Sequence, residues 1–171
     1  MAKSDESLDD VFLPSGRLRP ELVDDTANGV LQQSLRMAHD TCWDSVRSPH
    51  VFMGLLATPD QGVNNWGERL GADLPKLLEQ FRELFRQEDG DAEALLVLNR
   101  EFLSDNVIRL LRDSFNRAQE HQRRQITPMD LLISLLTAPN SIVAECFERI
   151  GVTAAKLTEL AVMAEQTMRK K

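Results

Sequence analysis

Tyrosine is absent from this chain of 171 residues, and the other aromatics, seven Phe and two Trp, make up only 5% of it. A core must therefore be filled mainly by aliphatic side chains, which suits packed helices. Cysteine is nearly absent too. Cys42 and Cys146 are too few for a disulfide scaffold, and both fall inside helical patterns, where they read as small reduced hydrophobes. No apolar run approaches the roughly 18 residues of a membrane span, and the acidic start MAKSDESLDD lacks the apolar stretch of a secretory signal. Basic charge is in deficit: 20 Lys and Arg stand against 27 Asp and Glu, a net charge of −7 with a pI near 5.0. That balance argues against a nucleic-acid binder relying on a broad basic surface. The expectation is a cytoplasmic protein with neither nucleic acid nor membrane as partner.

What is present is a repetition. The stretch ITPMDLLISLLTAPN, from Ile126, has a twin eighty residues earlier in VRSPHVFMGLLATPD, from Val46. Without a gap, Leu31, Ser34 and Ala38 meet Leu111, Ser114 and Ala118, and Leu55, Leu56 and Pro59 meet Leu135, Leu136 and Pro139. Further on, Val63, Glu68, Arg69 and Gly71 meet Val143, Glu148, Arg149 and Gly151. The chain is a tandem duplication.

Each copy reads as four helices. In the first, Asp24 caps a helix with an apolar stripe of Ala27, Val30, Leu31, Leu35 and Ala38. Ser48 caps the next, with Pro49 at its first position. The run Val51 to Leu56 is apolar nearly all round, so this helix must be central. A third helix from Asp60 stops at Gly71, and a fourth begins near Asp73. The second copy repeats this with caps at Ser104 and Thr127, a helix from Asn140 stopped by Gly151, and a last helix from Thr153. The expected fold is all-α: two four-helix repeats packed with pseudo-twofold symmetry, since each half alone would leave its apolar helix uncovered. The organisation is an N-terminal extension at 1–23, repeat 1 at 24–86, an acidic linker at 87–103 and repeat 2 at 104–168. The extension reads as a loosely held tail, although Val11, Phe12 and Leu13 suit docking, even as an internal occupant of a binding groove.

Little in the chain points to catalysis. His39 and Cys42 have a metal-like spacing without a second pair, and a structural zinc needs about four ligands. Glu145 and Glu148 lack the partner histidine of a di-iron bundle. No nucleophile elbow occurs, and His50 reads as a packed, hydrogen-bonded residue. The expectation is no enzyme, with no catalytic residues, metal or cofactor. Arg117, His121, Arg123 and Arg124 form a basic cluster that complements a helix C-terminus or docks an acidic partner. Trp43 falls where its counterpart is Arg123, a position expected to be exposed, and tryptophan is enriched at interfaces.

The pattern T-P-x-x-L-L-x-x-L-L at Thr127 to Leu136, followed by Ile150-Gly151-Val152, resembles the repeat of the Clp N-terminal domain. That domain occurs as a tandem pair at the head of AAA+ Clp unfoldase subunits. The first copy is looser, with His50, Leu55-Leu56 and Leu70-Gly71. The resemblance covers about Val23 to Glu165. It implies a non-catalytic protein-binding module that captures substrate polypeptides or adaptors for a Clp ATPase or peptidase. The alternative is a structural or assembly protein of another machine that reuses the fold. The chain holds no G-x-x-x-x-G-K-[ST] loop for ATP, which implies a detached N-terminal domain or, favoured by its natural start, a free-standing relative. Some relatives recognise phosphorylated arginine with a glutamate at the start of the central helix. Pro49 and Met129 stand there instead, which puts that recognition in doubt. By resemblance the pockets would join Asp24 and Asp25 with Pro49, and Ser104 and Asp105 with Met129. With Trp43, these seven are the candidate partner-binding residues.

Overall fold

The computed structural model describes residues 10–88, 90 and 96–169, the last by its backbone alone. Among the described residues, eight α-helices fall in two sets of four. The first set is α1 (Asp25–Asp40), α2 (Ser48–Ala57), α3 (Gln61–Leu70) and α4 (Leu74–Phe85). The second is α5 (Asp105–Glu120), α6 (Pro128–Thr137), α7 (Ile142–Glu148) and α8 (Ala154–Arg169). A 3-10 turn precedes each set, at Pro20–Leu22 and Arg100–Phe102, so the duplication extends upstream of the helical pattern.

The local signals act largely where the sequence places them. Asp24, Asp60, Asp73, Ser104, Thr127 and Ser141 each accept a backbone N–H three residues on, which satisfies one orphan donor of each helix. Gly71 and Gly151 end α3 and the turn after α7 with φ of 75° and 91°, the left-handed conformation that glycine enters without Cβ strain. Three expectations are corrected. Ser48 is the first helical residue and Arg47 the cap, with Pro49 one position further in. The third helix of the second unit spans only Ile142–Glu148. Cys42 lies in the turn after α1 with φ 65°, and its counterpart Gln122 does the same with φ 60°; the polar run around each had hidden the turn.

The halves are joined by exchanged backbone. Ile126, in the loop between α5 and α6, donates to Leu22 O at 2.7 Å, and Asp24 donates back to Ile126 O at 3.1 Å. The twofold-related pairs are Val46 to Phe102 O at 2.8 Å and Ser104 to Val46 O at 3.0 Å. Val23, Val46, Leu103 and Ile126 are all buried at these crossings. Every residue of α2 from Pro49 to Leu56 is buried, and every residue of α6 from Pro128 to Leu136. These are the two central helices. Phe52, Trp66, Phe81 and Phe147 pack ring to ring around them, and Trp66 Nε1 donates to Leu157 O at 3.1 Å, from one half to the other.

The extension is anchored from residue 10 onward. Arg19 N–H donates to Val11 O and Leu13 N–H to Arg17 O, both at 2.8 Å, so residues 11–19 fold as a hairpin. Val11 and Phe12 are buried, and the Phe12 ring lies near the guanidinium groups of Arg100 and Arg112. Asp10 meets Arg112 of α5 at 3.1 Å. The linker described from Leu96 is held by the same hairpin, through Arg100 N–H to Gly16 O at 2.7 Å. The hairpin thus ties the extension to the linker and to α5 of the second half.

Two glycines give opposite predictions. A Cβ on Gly54 would sit 2.5 Å from Val30 O and 2.6 Å from Ser34 Oγ, so α1 and α2 can approach only because that atom is missing. Gly29, within α1, has nothing within 4 Å. In urea unfolding, Gly54→Ala should cost about 1–3 kcal/mol, and Gly29→Ala should gain about 0.5–1 kcal/mol.

Candidate functional site

The pseudo-twofold creates two equivalent surface sites, each straddling the halves. Trp43, Arg47, Pro49, His50, Phe85, Ser104, Arg109, Leu110, Leu135 and Ile142 line one, a groove of about 160 Å³. The other is lined by Asp24, Asp60, Gln61, Arg123, Thr127, Met129, Glu165 and Met168. Position by position these sets correspond: Trp43 to Arg123, Arg47 to Thr127, Pro49 to Met129, Phe85 to Glu165, Ser104 to Asp24, Asn140 to Asp60.

The seven candidate residues are therefore regrouped. Trp43, Pro49 and Ser104 come together in the first groove, and Asp24 and Met129 in the second. Each cap meets the central helix of the opposite half, so the pairings of Asp24 with Pro49 and of Ser104 with Met129 do not form. The exchanged backbone at Val23 and Ile126 is the physical reason, because it carries the start of each half across the seam. Asp25 and Asp105 join neither site. Asp25 faces Arg17 and Leu98, and Asp105 faces the N-terminal hairpin.

The first groove is an aromatic and aliphatic surface. Trp43 is half-buried rather than exposed, with Nε1 donating to Phe85 O at 2.6 Å and its ring edge-on to His50, 5.5 Å between centroids. The Arg47 guanidinium lies 5.0 Å from the Trp43 ring centre. Ile142 at the groove's edge is 46% exposed. His50 beneath is 1% exposed and doubly bonded: Arg47 N–H donates to Nδ1 at 2.9 Å, and Nε2 lies 3.1 Å from Thr41 Oγ1. The Thr41 hydroxyl donates to Met37 O at 2.6 Å, so it accepts from His50, whose proton is on Nε2. Burial, then the Arg47 charge, lowers the His50 pKa to about 4.

The second site, an open cleft of about 490 Å³, is built on a buried ion cluster. Arg117 reaches Asp130 at 2.8 Å and Glu165 at 2.7 Å, and Arg123 holds both oxygens of Asp130, which is fully buried. The Thr127 amide adds a bond to Asp130 at 2.9 Å. Burial alone would raise the Asp130 pKa, but the bonds from Arg123, the Thr127 amide and Arg117 outweigh it, and the carboxyl sits below its usual range. At the mouth, Asp24 and Asp60 are both pushed up, chiefly by burial, and the charge of Asp24 adds to the shift on Asp60. The cluster at the end of α5 is thus no free docking patch: Arg117 and Arg123 are spent on internal carboxylates. The sequence hid this because Asp130 and Glu165 stand on other helices.

Among the described residues, no three His, Cys, Asp or Glu side chains are grouped to hold a metal ion, and no single helix is long and apolar enough to cross a membrane.

His50 should govern stability in mild acid. Its folded pKa lies below the unfolded value of about 6.5, so the unfolded chain takes up the proton first. The stability contributed by neutral His50 is fully present above that value and lost as pH falls toward 4. Unfolding at pH 7 and pH 4.5 should show a loss of roughly 2 kcal/mol from this residue. Asp24 and Asp60, with raised pKa values, shift stability the other way in the same range. The His50→Gln variant, which keeps an acceptor for the Arg47 amide, isolates the term: its own loss should be smaller than that of the parent by this amount.

Residues 102–171 match the family model described as Clp repeat (R) N-terminal domain. No curated protein matches the chain. Among solved structures, the N-terminal domain of the caseinolytic protease associated chaperone ClpD from Arabidopsis thaliana is 17% identical with a TM-score of 0.66, over 85% of this chain and 96% of that one. The Hsp104 N-terminal domain from Candida albicans is 12% identical with a TM-score of 0.68, over 83% and 90% of the two chains. A component of a malarial protein secretion system is 14% identical with a TM-score of 0.62, over 87% and 99%. At these identities the structures establish the fold. The second four-helix unit matches the Clp repeat model, and the chain as a whole has the fold of the double Clp N-terminal domain.

Proposed function

We propose that the chain is a non-catalytic protein-binding module that seats a polypeptide segment of a substrate or adaptor in the Trp43 groove, in the service of a Clp-type chaperone or protease. The observation that carries this reading is the contrast between two sites that the fold makes equivalent. One holds Met37, Trp43, His50 and Phe85 where the other holds Arg117, Arg123, Asp130 and Glu165, and it leaves Trp43, Phe85 and Ile142 partly accessible; the other keeps Arg117 and Arg123 paired with its own carboxylates. At about 160 Å³ the groove is smaller than the roughly 300–1,000 Å³ of small-molecule sites, yet adequate for one bulky side chain. An apolar pocket with a polar rim and a half-buried tryptophan is the usual composition of a protein-binding hot spot.

The test is titration with a reduced, carboxymethylated, permanently unfolded polypeptide. Ile142→Asp places a charge on an exposed position and leaves the core intact, and it should weaken binding about ten-fold or more. Gln61→Asp, at the counterpart of Ser141 in the ionic site, should leave binding unchanged. Equal affinities for the parent and Ile142→Asp would remove the groove from the function. Copurification of an AAA+ ring with the parent chain, lost in Ile142→Asp, separates Clp service from a role in another assembly.

A further inference from the structure

We propose that the Trp43 groove selects segments in which a bulky apolar side chain is flanked by carboxylates; this rests on the reading of that groove as a polypeptide site. The argument is charge complementarity. Three charged side chains line the groove: Arg47 from the first half, and Arg109 and Asp113 from α5 of the second. None of them takes part in an ion pair with another described residue. Arg109 precedes Asp113 by one helical turn, the less favourable order for such a pair. Among the described residues, the Arg47 guanidinium is held through Ser45 Oγ at 2.9 Å and the Trp43 ring. The groove thus presents two arginines against one aspartate in a chain whose net charge is −7.

The duplicated site supplies the contrast. Arg109 corresponds to Gly29 and Arg47 to Thr127, so neither cation has a counterpart there. Asp24, Asp60 and Glu165 line its mouth, and its Arg123 is committed to Asp130. A segment carrying carboxylates is therefore drawn to the Trp43 groove and repelled from its equivalent, which makes the charges a device for choosing both ligand and site. The apolar residue fills the pocket between Trp43, Phe85 and Ile142, and its acidic neighbours meet Arg47 and Arg109 on the rim.

The experiment uses three acetylated, amidated ten-residue peptides with a central Leu-Phe pair, flanked on both sides by glutamates, glutamines or lysines. Calorimetry on the full chain should rank them glutamate first and lysine last, with about a ten-fold spread at low salt that narrows at high salt. One peptide should bind per chain. Arg109→Glu, an exposed change, should invert the ranking, and Arg47→Glu provides a second test should that variant fold poorly. Equal binding of all three peptides, or a preference for lysine, overturns the proposal and leaves the groove as a general apolar site. Binding by none overturns both the proposal and the reading beneath it. A concentration-dependent dimer that the glutamate peptide fails to dissociate would show a second copy in the groove and overturn it as well.

Discussion

The structure depends on an exchange of backbone at the seam. Two helices that are apolar nearly all round, α2 and α6, cannot be covered by three partners within one half. Each half sends the residues before its first helix across to the loop that precedes the other's central helix. There Val23 pairs with Ile126, and Leu103 with Val46. These crossings satisfy main-chain groups in a buried region, where an unpaired one would be costly. They also fix the register of one half against the other, so the caps of α1 and α5 always stand over the opposite central helix. Both surface sites are consequences of that placement.

Because the sites are composite, each could change chemistry without altering the fold around it. The four positions that hold Arg117, Arg123, Asp130 and Glu165 in one half hold Met37, Trp43, His50 and Phe85 in the other. The substitution is concerted: exchanging Phe85 alone for a carboxylate would set an unpaired charge beside Trp43, which is penalised strongly. Two self-consistent sets occupy the same framework, one ionic, the other aromatic.

Much of the fold could be read from the chain. The eighty-residue register, the caps at Asp24, Ser104 and Thr127 and the stops at Gly71 and Gly151 are local signals, and the local structure obeys them. The turns at Cys42 and Gln122 carry no such signal, since each lies in a polar run and neither residue type favours a positive φ. The site was legible only in its parts. Trp43 stood out as an anomaly against Arg123, and Pro49 and Ser104 by resemblance, but a repeat register compares like with like. It is blind to which half lies over which. Arg117 and Arg123 looked like a basic patch for the same reason, since their partners lie on α6 and α8. The anchoring of the extension is half visible: the apolar set Val11, Phe12 and Leu13 suits docking, but the hairpin that carries it depends on Gly16 and on contacts with Arg100 and Arg112 far along the chain.

His50 and Asp130 show which part of each site the fold demands. Both stand at the third position of a central helix, and both accept the backbone N–H of the residue that caps it, Arg47 and Thr127 respectively. The backbone requires an acceptor there; it does not require a charge. Asp130 meets the requirement as an anion and must then be neutralised, which commits Arg117 and Arg123 and brings Glu165 against Arg117. His50 meets it as a neutral ring, held neutral by burial and Arg47. No counter-ion is needed, so the space above falls to Trp43 and Phe85, and Arg47 and Arg109 keep their charges for a partner. A single choice of acceptor therefore separates a site whose arginines are paired within the chain from one whose arginines face outward, unpaired among the described residues.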